Sequence, residues 1–195
     1  MAIQASAAKL HWNYFLALER DMEVVARYIE FTEPNFGVYS IELAHLLFAA
    51  ASEVDVIAKL LCARIDPAAP KGNINDYRAV LTNALPDLAA SEVLVPRYEL
   101  TLTPWDEWNG AGNPFWWRSY NNVKHQRDSH FSEATLKHSL NALAALLLVT
   151  IHFYQRTLAT PPAHTLALKD TTRLLQPEST LLRLPEGSYY DTLIV

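Results

Sequence analysis

Residues Phe115 to Arg127 read FWWRSYNNVKHQR, and their spacing is the key to the fold. Asn113 suits an N-cap and Pro114 the first helical position, where the N–H that proline lacks would have no partner anyway. Wound at 3.6 residues per turn, steps of three, four and seven return to one side. Arg118, Asn121, Asn122 and His125 therefore share a face. Trp116, Tyr120 and Val123 fall on another. The segment is thus an amphipathic helix whose polar stripe holds a guanidinium, two amides and an imidazole, with Lys124 and Arg127 beside it. Such a set can grip a phosphodiester and act on it.

Working outward, the flanking sequence predicts helices. From about Leu10 to Phe31, Trp12, Phe15, Leu16, Leu18, Met22, Val25, Ala26 and Ile29 recur at three- and four-residue steps. The other face, with Glu19, Arg20, Asp21, Glu23 and Glu30, reads as solvated. Glu33 to Gly37 breaks the helix, and Ser40 caps a second one to Arg64, so the two form an antiparallel hairpin. Asn75 opens a shorter helix, Asp76 to Leu85. Val93 to Thr103 alternates like a strand or extended segment. After the quoted stretch, Ser129 or Ser132 caps a last long helix to about Leu158. Pro161 and Pro162 end the bundle, leaving three short β-like runs, Thr165–Leu168, Thr180–Leu184 and Tyr189–Val195. The expectation is an all-α bundle of four to five helices over residues 1–160 with a short β-containing tail over 161–195.

Composition narrows the function classes. A length of 195 residues suits one domain with a substantial core. A net charge of −5 argues against a general nucleic-acid coat, although Arg118, Lys124 and Arg127 make a local basic cluster around His125. The single cysteine, Cys62, has no internal disulfide partner, and its apolar neighbours favour a buried thiol and a reducing compartment. Nothing at the N-terminus reads as a signal peptide, and the best apolar run, Ala142–Ile151, is far short of a membrane span. A cytoplasmic protein without membrane association is expected.

Trp117, Tyr120, Asn121, Val123, Lys124, His125 and Arg127 spell W-x-x-Y-N-x-V-K-H-x-R. Together with two long N-terminal helices, a short R-x6-H helix and a long final helix, this resembles the HEPN superfamily over about Leu10 to Leu158. The resemblance implies a homodimer in which two such motifs face each other, and a metal-independent endoribonuclease of toxin–antitoxin or phage-defence type. It places Arg118 and His125 in the catalytic pair and Asn121 and Asn122 within the motif. The chemistry agrees with that assignment. An imidazole titrating near neutrality can take the proton of a ribose 2′-OH or deliver one to the leaving 5′-oxygen. A guanidinium can stabilise charge growing on phosphoryl oxygens. RNA is the expected partner and no cofactor is needed. Ser119 follows the arginine where the family often carries Asn, Asp or His. The resemblance equally admits a non-catalytic dimerisation module that pairs with an antitoxin or a nucleotidyltransferase.

A third option keeps the residues structural. Asn121, Asn122 and His125 then form a polar network, with Arg118 and Arg127 paired to Glu53, Asp55 or Glu133. Asp55 is also a candidate acidic partner facing the motif. His125 and His130 are five apart, not the i, i+4 spacing of a helical metal pair, and no metal is expected. His45, His138 and His152 read as packed or core-edge histidines. Trp105, Trp108, Trp116 and Trp117 suit packing better than base stacking.

Overall fold

The computed structural model describes residues 8–190. Its frame is four helices, α1 (Leu10–Val25), α2 (Ile41–Ile65), α4 (Phe115–His125) and α6 (Leu136–Thr157). Shorter ones are α3 (Ile74–Ala84), α5 (Arg127–His130) and α7 (Leu168–Leu174). α2 and α6 form the centre. The Ser139 hydroxyl donates to the Leu43 carbonyl at 2.8 Å near their starts, and the Arg64 guanidinium lies 5.5 Å from the Phe153 ring near their ends. The two helices therefore run parallel. α1 runs against α2, since His11 meets Glu53 while Val25 lies beside Glu42 and His45. This is the expected antiparallel hairpin.

The helix starts follow from side-chain caps. The Ser40 hydroxyl accepts from the Leu43 N–H at 3.1 Å, as the sequence predicts. α3 begins two residues earlier than expected because Asn73, not Asn75, supplies the cap, its Oδ1 accepting from Asn75 and Asp76 N–H. α6 is capped by Thr135, not Ser129 or Ser132, which sit in the short turns of residues 127–133. Thr135 is also fixed by a bridge to Tyr39, so the start of α6 is tied to the entry of α2. α1 stops at Val25 rather than Phe31, because the bonding tightens to i→i−3 turns through Arg27 and Tyr28.

α6 is almost wholly buried, including the run Leu140–Ile151. It is long and apolar enough to cross a membrane by length and composition alone, but here it forms the core of the bundle. Cys62 lies in that core, and burial pushes its thiol pKa up to about 11, which makes it a poor nucleophile.

Val93 to Thr103 forms a hairpin rather than one strand. β1 (Val93–Val95) pairs antiparallel with β2 (Leu100–Leu102), with Val93 opposite Leu102. Pro96 lacks the N–H a continuing ladder needs, and Glu99 takes a left-handed φ of 53° to close the turn.

The tail differs from the expectation as well. Residues from Leu168 form α7, so the first β-like run gives no strand. The second run does extend, and Arg183 exchanges both backbone hydrogen bonds with Leu94 of β1, at 2.7 and 2.8 Å. Most of the third run lies outside the described residues.

The tail is held to α1 by an acid the sequence placed in solvent. Glu19 is only 1% exposed. Its carboxylate accepts N–H bonds from Thr180 at 3.1 Å, Leu181 at 3.0 Å and Leu182 at 2.9 Å, and a hydroxyl bond from Ser179. Successive N–H groups converge on one oxygen pair, which is how a buried carboxylate is satisfied without a cation. The Trp12 indole N–H, donating to the Pro177 carbonyl at 3.0 Å, extends the seam.

Candidate functional site

The polar helix rests on a tryptophan floor. Trp105, Trp108, Trp116 and Trp117 are all buried. Trp105 lies 4.2 Å from Trp108 and meets Trp116 edge-on at 5.4 Å, and the Trp116 N–H donates to the Pro104 carbonyl at 2.7 Å. These indoles are packing anchors and are closed to nucleic-acid bases. Arg78 donates to the carbonyls of Ala111 and Gly112, which holds the loop before α4. With its apolar side so committed, α4 can turn only its Arg118–Asn122–His125 side outward.

Arg118 is 58% exposed and forms an ion pair with Glu107 at 2.7 Å. Its partner is thus neither Glu53, Asp55 nor Glu133. Glu107 lies eleven residues earlier across an irregular loop, and no periodicity reveals that pairing. Asn121 turns back and donates to the Trp117 carbonyl at 2.9 Å. Asn122 donates to the Glu133 carboxylate at 3.0 Å, and His130 Nδ1 meets the same carboxylate at 2.6 Å. His125, the last residue of α4, is exposed and its side chain makes no hydrogen bond among the described residues. Arg118 and His125 are about 10 Å apart along the helix axis, at 1.5 Å per residue. The structure keeps them on one exposed face but does not join them.

Asp55 is not part of this face. It accepts from the Tyr77 hydroxyl at 2.8 Å, and Glu53 binds His11 at 2.6 Å. Both lie farther along α2 than Phe48, whose ring meets Tyr120 of α4 at 6.0 Å. Lys124 and Arg127 bend toward this part of α2. Lys124 donates to the Tyr120 hydroxyl at 3.2 Å, and the Arg127 guanidinium sits 5.3 Å from the Phe48 ring.

Electrostatics separate the histidines. Burial raises the Glu133 carboxyl pKa, but hydrogen bonds from His130, Asn122 and Ser119 outweigh it and leave the group below its usual value. His138 Nδ1 lies 2.6 Å from the Glu133 carbonyl and so carries its proton there, while burial lowers its pKa. His152, expected at the core edge, is pushed down to about 4 by burial. His45 departs from the packed reading: its side chain is 63% exposed, 3.9 Å from Glu42.

Beside α4 lies a cavity of about 550 Å³ lined by Tyr14, His45, Phe48, Ser52, Tyr120, Lys124 and Arg127, among others, with no carboxylate in its wall. It shares His45 and Ala49 with a second cavity of about 620 Å³ between α1 and α2. The pair make one trough. Its basic end is at Lys124 and Arg127, its acidic end at Asp21 and Glu42, and Tyr14, Val24 and Tyr28 are exposed along it. Among the described residues no three His, Cys, Asp or Glu side chains gather as metal ligands do. Comparison with protein-family models, curated proteins and solved structures gives no match.

Proposed function

We propose that α4 and the basic end of the trough form an RNA-binding face of a HEPN-like protein, with metal-independent strand cleavage as its chemistry. The observation that carries this reading is the outward display of Arg118 and His125 on one helix, whose adjoining flank brings Lys124 to a carboxylate-free cavity that Arg127 also lines. The His125 imidazole, free of any hydrogen bond among the described residues, takes the 2′-OH proton or protonates the leaving oxygen. Arg118 steadies the charge on the phosphoryl oxygens, and Lys124 and Arg127 neutralise neighbouring phosphates. Tyr14, exposed in the trough, offers aromatic surface to an unstacked base. A second copy of the chain supplies the facing motif, because one exposed helix face does not by itself exclude water from the reacting phosphate.

The deciding experiment incubates the purified protein with end-labelled single-stranded RNA in excess EDTA, beside His125→Ala and a DNA control. Cleavage that leaves 2′,3′-cyclic phosphate ends, spares DNA and vanishes in the variant is expected. A folded dimer that cuts none of several RNAs, tRNA included, refutes the catalytic reading.

A second reading has its own observation. Arg118 is occupied by Glu107, and Asn122 by Glu133. These pairings suit a non-catalytic module whose α4 is covered by a partner protein such as an antitoxin or a nucleotidyltransferase. Protection of α4 from hydrogen exchange only in the presence of that partner supports this alternative.

A further inference from the structure

At the far end of the bundle, the parallel helices α2 and α6 finish side by side, and each places an arginine in its last turn, Arg64 and Arg156. The following loop folds back across them. It is pinned there by two hydrogen bonds, Leu166 N–H to the Gln155 carbonyl at 2.8 Å and the Gln155 amide to the Leu166 carbonyl at 3.1 Å. Between helices and loop lies a cavity of about 490 Å³ lined by Arg64, Ile65, Arg156, His164 and Thr165. Its wall holds two guanidiniums, an imidazole and a hydroxyl, and no carboxylate.

The arginines are not spent on the protein. Among the described residues neither forms an ion pair. Arg156 Nη1 is shut off from solvent and has no hydrogen-bond partner. Basic residues at helix C-termini commonly answer the free carbonyls and the negative end of the helix dipole. Here the Cys62 and Tyr154 carbonyls are already taken by the backbone N–H groups of Asp66 and Leu158. The Arg64 guanidinium lies 5.5 Å from the Phe153 ring. Burial lowers the Arg156 pKa, as it does for a cation with no acid beside it. Two guanidiniums with no acid beside them, on the wall of a roomy cavity, define a receptor for an anion of matching charge.

We propose that this cavity binds a phosphomonoester carried by a small molecule, with Arg64 and Arg156 gripping the phosphate oxygens and His164 and Thr165 closing the shell. The planar fork of a guanidinium matches two phosphate oxygens at once, and two such forks match a dianion better than a monoanion. The site is distinct from the α4 face. Arg64 lies sixteen residues along α2 from Phe48, about 24 Å of helix.

The test is calorimetric titration of the full chain with methyl phosphate and with dimethyl phosphate at constant ionic strength. Methyl phosphate binds saturably with one site per chain. Dimethyl phosphate, which has one charge fewer, binds at least tenfold more weakly. Arg64→Gln, on an exposed side chain, weakens methyl phosphate tenfold or more with an unchanged circular dichroism spectrum, and Arg156→Gln abolishes binding. Absence of saturable methyl phosphate binding by the native chain overturns the proposal, and so does undiminished affinity in Arg64→Gln. Equal affinity for the diester overturns the assignment to phosphomonoesters.

Discussion

Two carboxylates, Glu19 and Glu107, both hold an irregular segment in place, and they do so in opposite ways. Glu19 is buried on α1 and answers backbone N–H groups of Thr180, Leu181 and Leu182. Glu107 is 27% exposed and answers one flexible, exposed guanidinium. The first is structural in the strict sense, since removing it takes away the acceptor shared by three backbone donors. The second is an exchangeable contact, since Arg118 has water available on its other side. A charged residue that organises buried backbone reports on the fold, whereas one paired at the surface leaves its partner open to function.

The largest effect is expected where that contrast is sharpest. Glu19→Ala strands three N–H groups in the seam between tail and α1. It should cost roughly 3 kcal/mol, given about 1–3 kcal/mol for each buried donor left unsatisfied and partial relief by water. The melting temperature should fall by roughly 6–12 °C for a chain of this size. Limited proteolysis should cut first within residues 176–185. A melting temperature unchanged within a degree breaks the contrast between the two acids.

A second effect, of similar order, comes from pH. His152 titrates near 4 in the folded state against 6.5 for the free side chain, because burial opposes its charge. Its folded pKa is depressed, so the stability it contributes is present above pH 6.5 and is lost as pH falls toward 4. Full loss amounts to about 3 kcal/mol at 1.36 kcal/mol per pKa unit. His138, also lowered by burial, acts in the same direction. Denaturant midpoints measured at pH 7, 6, 5 and 4 should decline through that window, and His152→Gln should flatten the decline. An equally steep slope in the variant refutes the assignment.

These effects mark the limits of what the sequence reveals. The course of α2 and α6 is legible, since their apolar periodicity is strong and Ser40 sits in plain view as a cap. The amphipathic character of α4, with Trp116, Tyr120 and Val123 inward and Arg118 and His125 outward, is legible for the same reason. Glu19 is not. It lies between Leu18 and Arg20 on a helix whose neighbouring positions are charged, and its partners are 160 to 163 residues downstream. Asp55 fails likewise, because helical spacing says which residues share a side but not whether α3 or α4 packs against it. The tail misleads through its alternation: Thr165–Leu168 has the β pattern but gives way to a helix at Leu168, whereas Arg183 pairs with Leu94 through contacts no local pattern encodes.

A smaller effect belongs to Glu107. Glu107→Gln removes one ion pair whose arginine is mostly in solvent, and such pairs contribute up to about 1 kcal/mol. Stability should therefore move by less than that. If Glu107 competes with RNA for Arg118, the same substitution raises RNA affinity two- to fivefold at low salt, and the gain shrinks as salt screens the phosphates. Filter binding at two salt concentrations reads both. Weaker RNA binding in Glu107→Gln reverses the idea and makes Glu107 a positioning residue that aims the guanidinium.

The smallest expected change in stability is at His125. The residue is exposed, ends its helix and makes no side-chain hydrogen bond among the described residues, so His125→Ala should shift stability by no more than about 0.5 kcal/mol. Near-zero cost to the fold is what makes the position informative. A residue that packs nothing has no structural reason to disturb RNA when removed, so loss of cleavage in a variant with native melting behaviour points to chemistry at the imidazole. The same variant separates the two functional readings. A partner-binding face tolerates loss of one imidazole with a modest fall in affinity, whereas general acid–base catalysis contributes about 100- to 10,000-fold in rate and does not survive it.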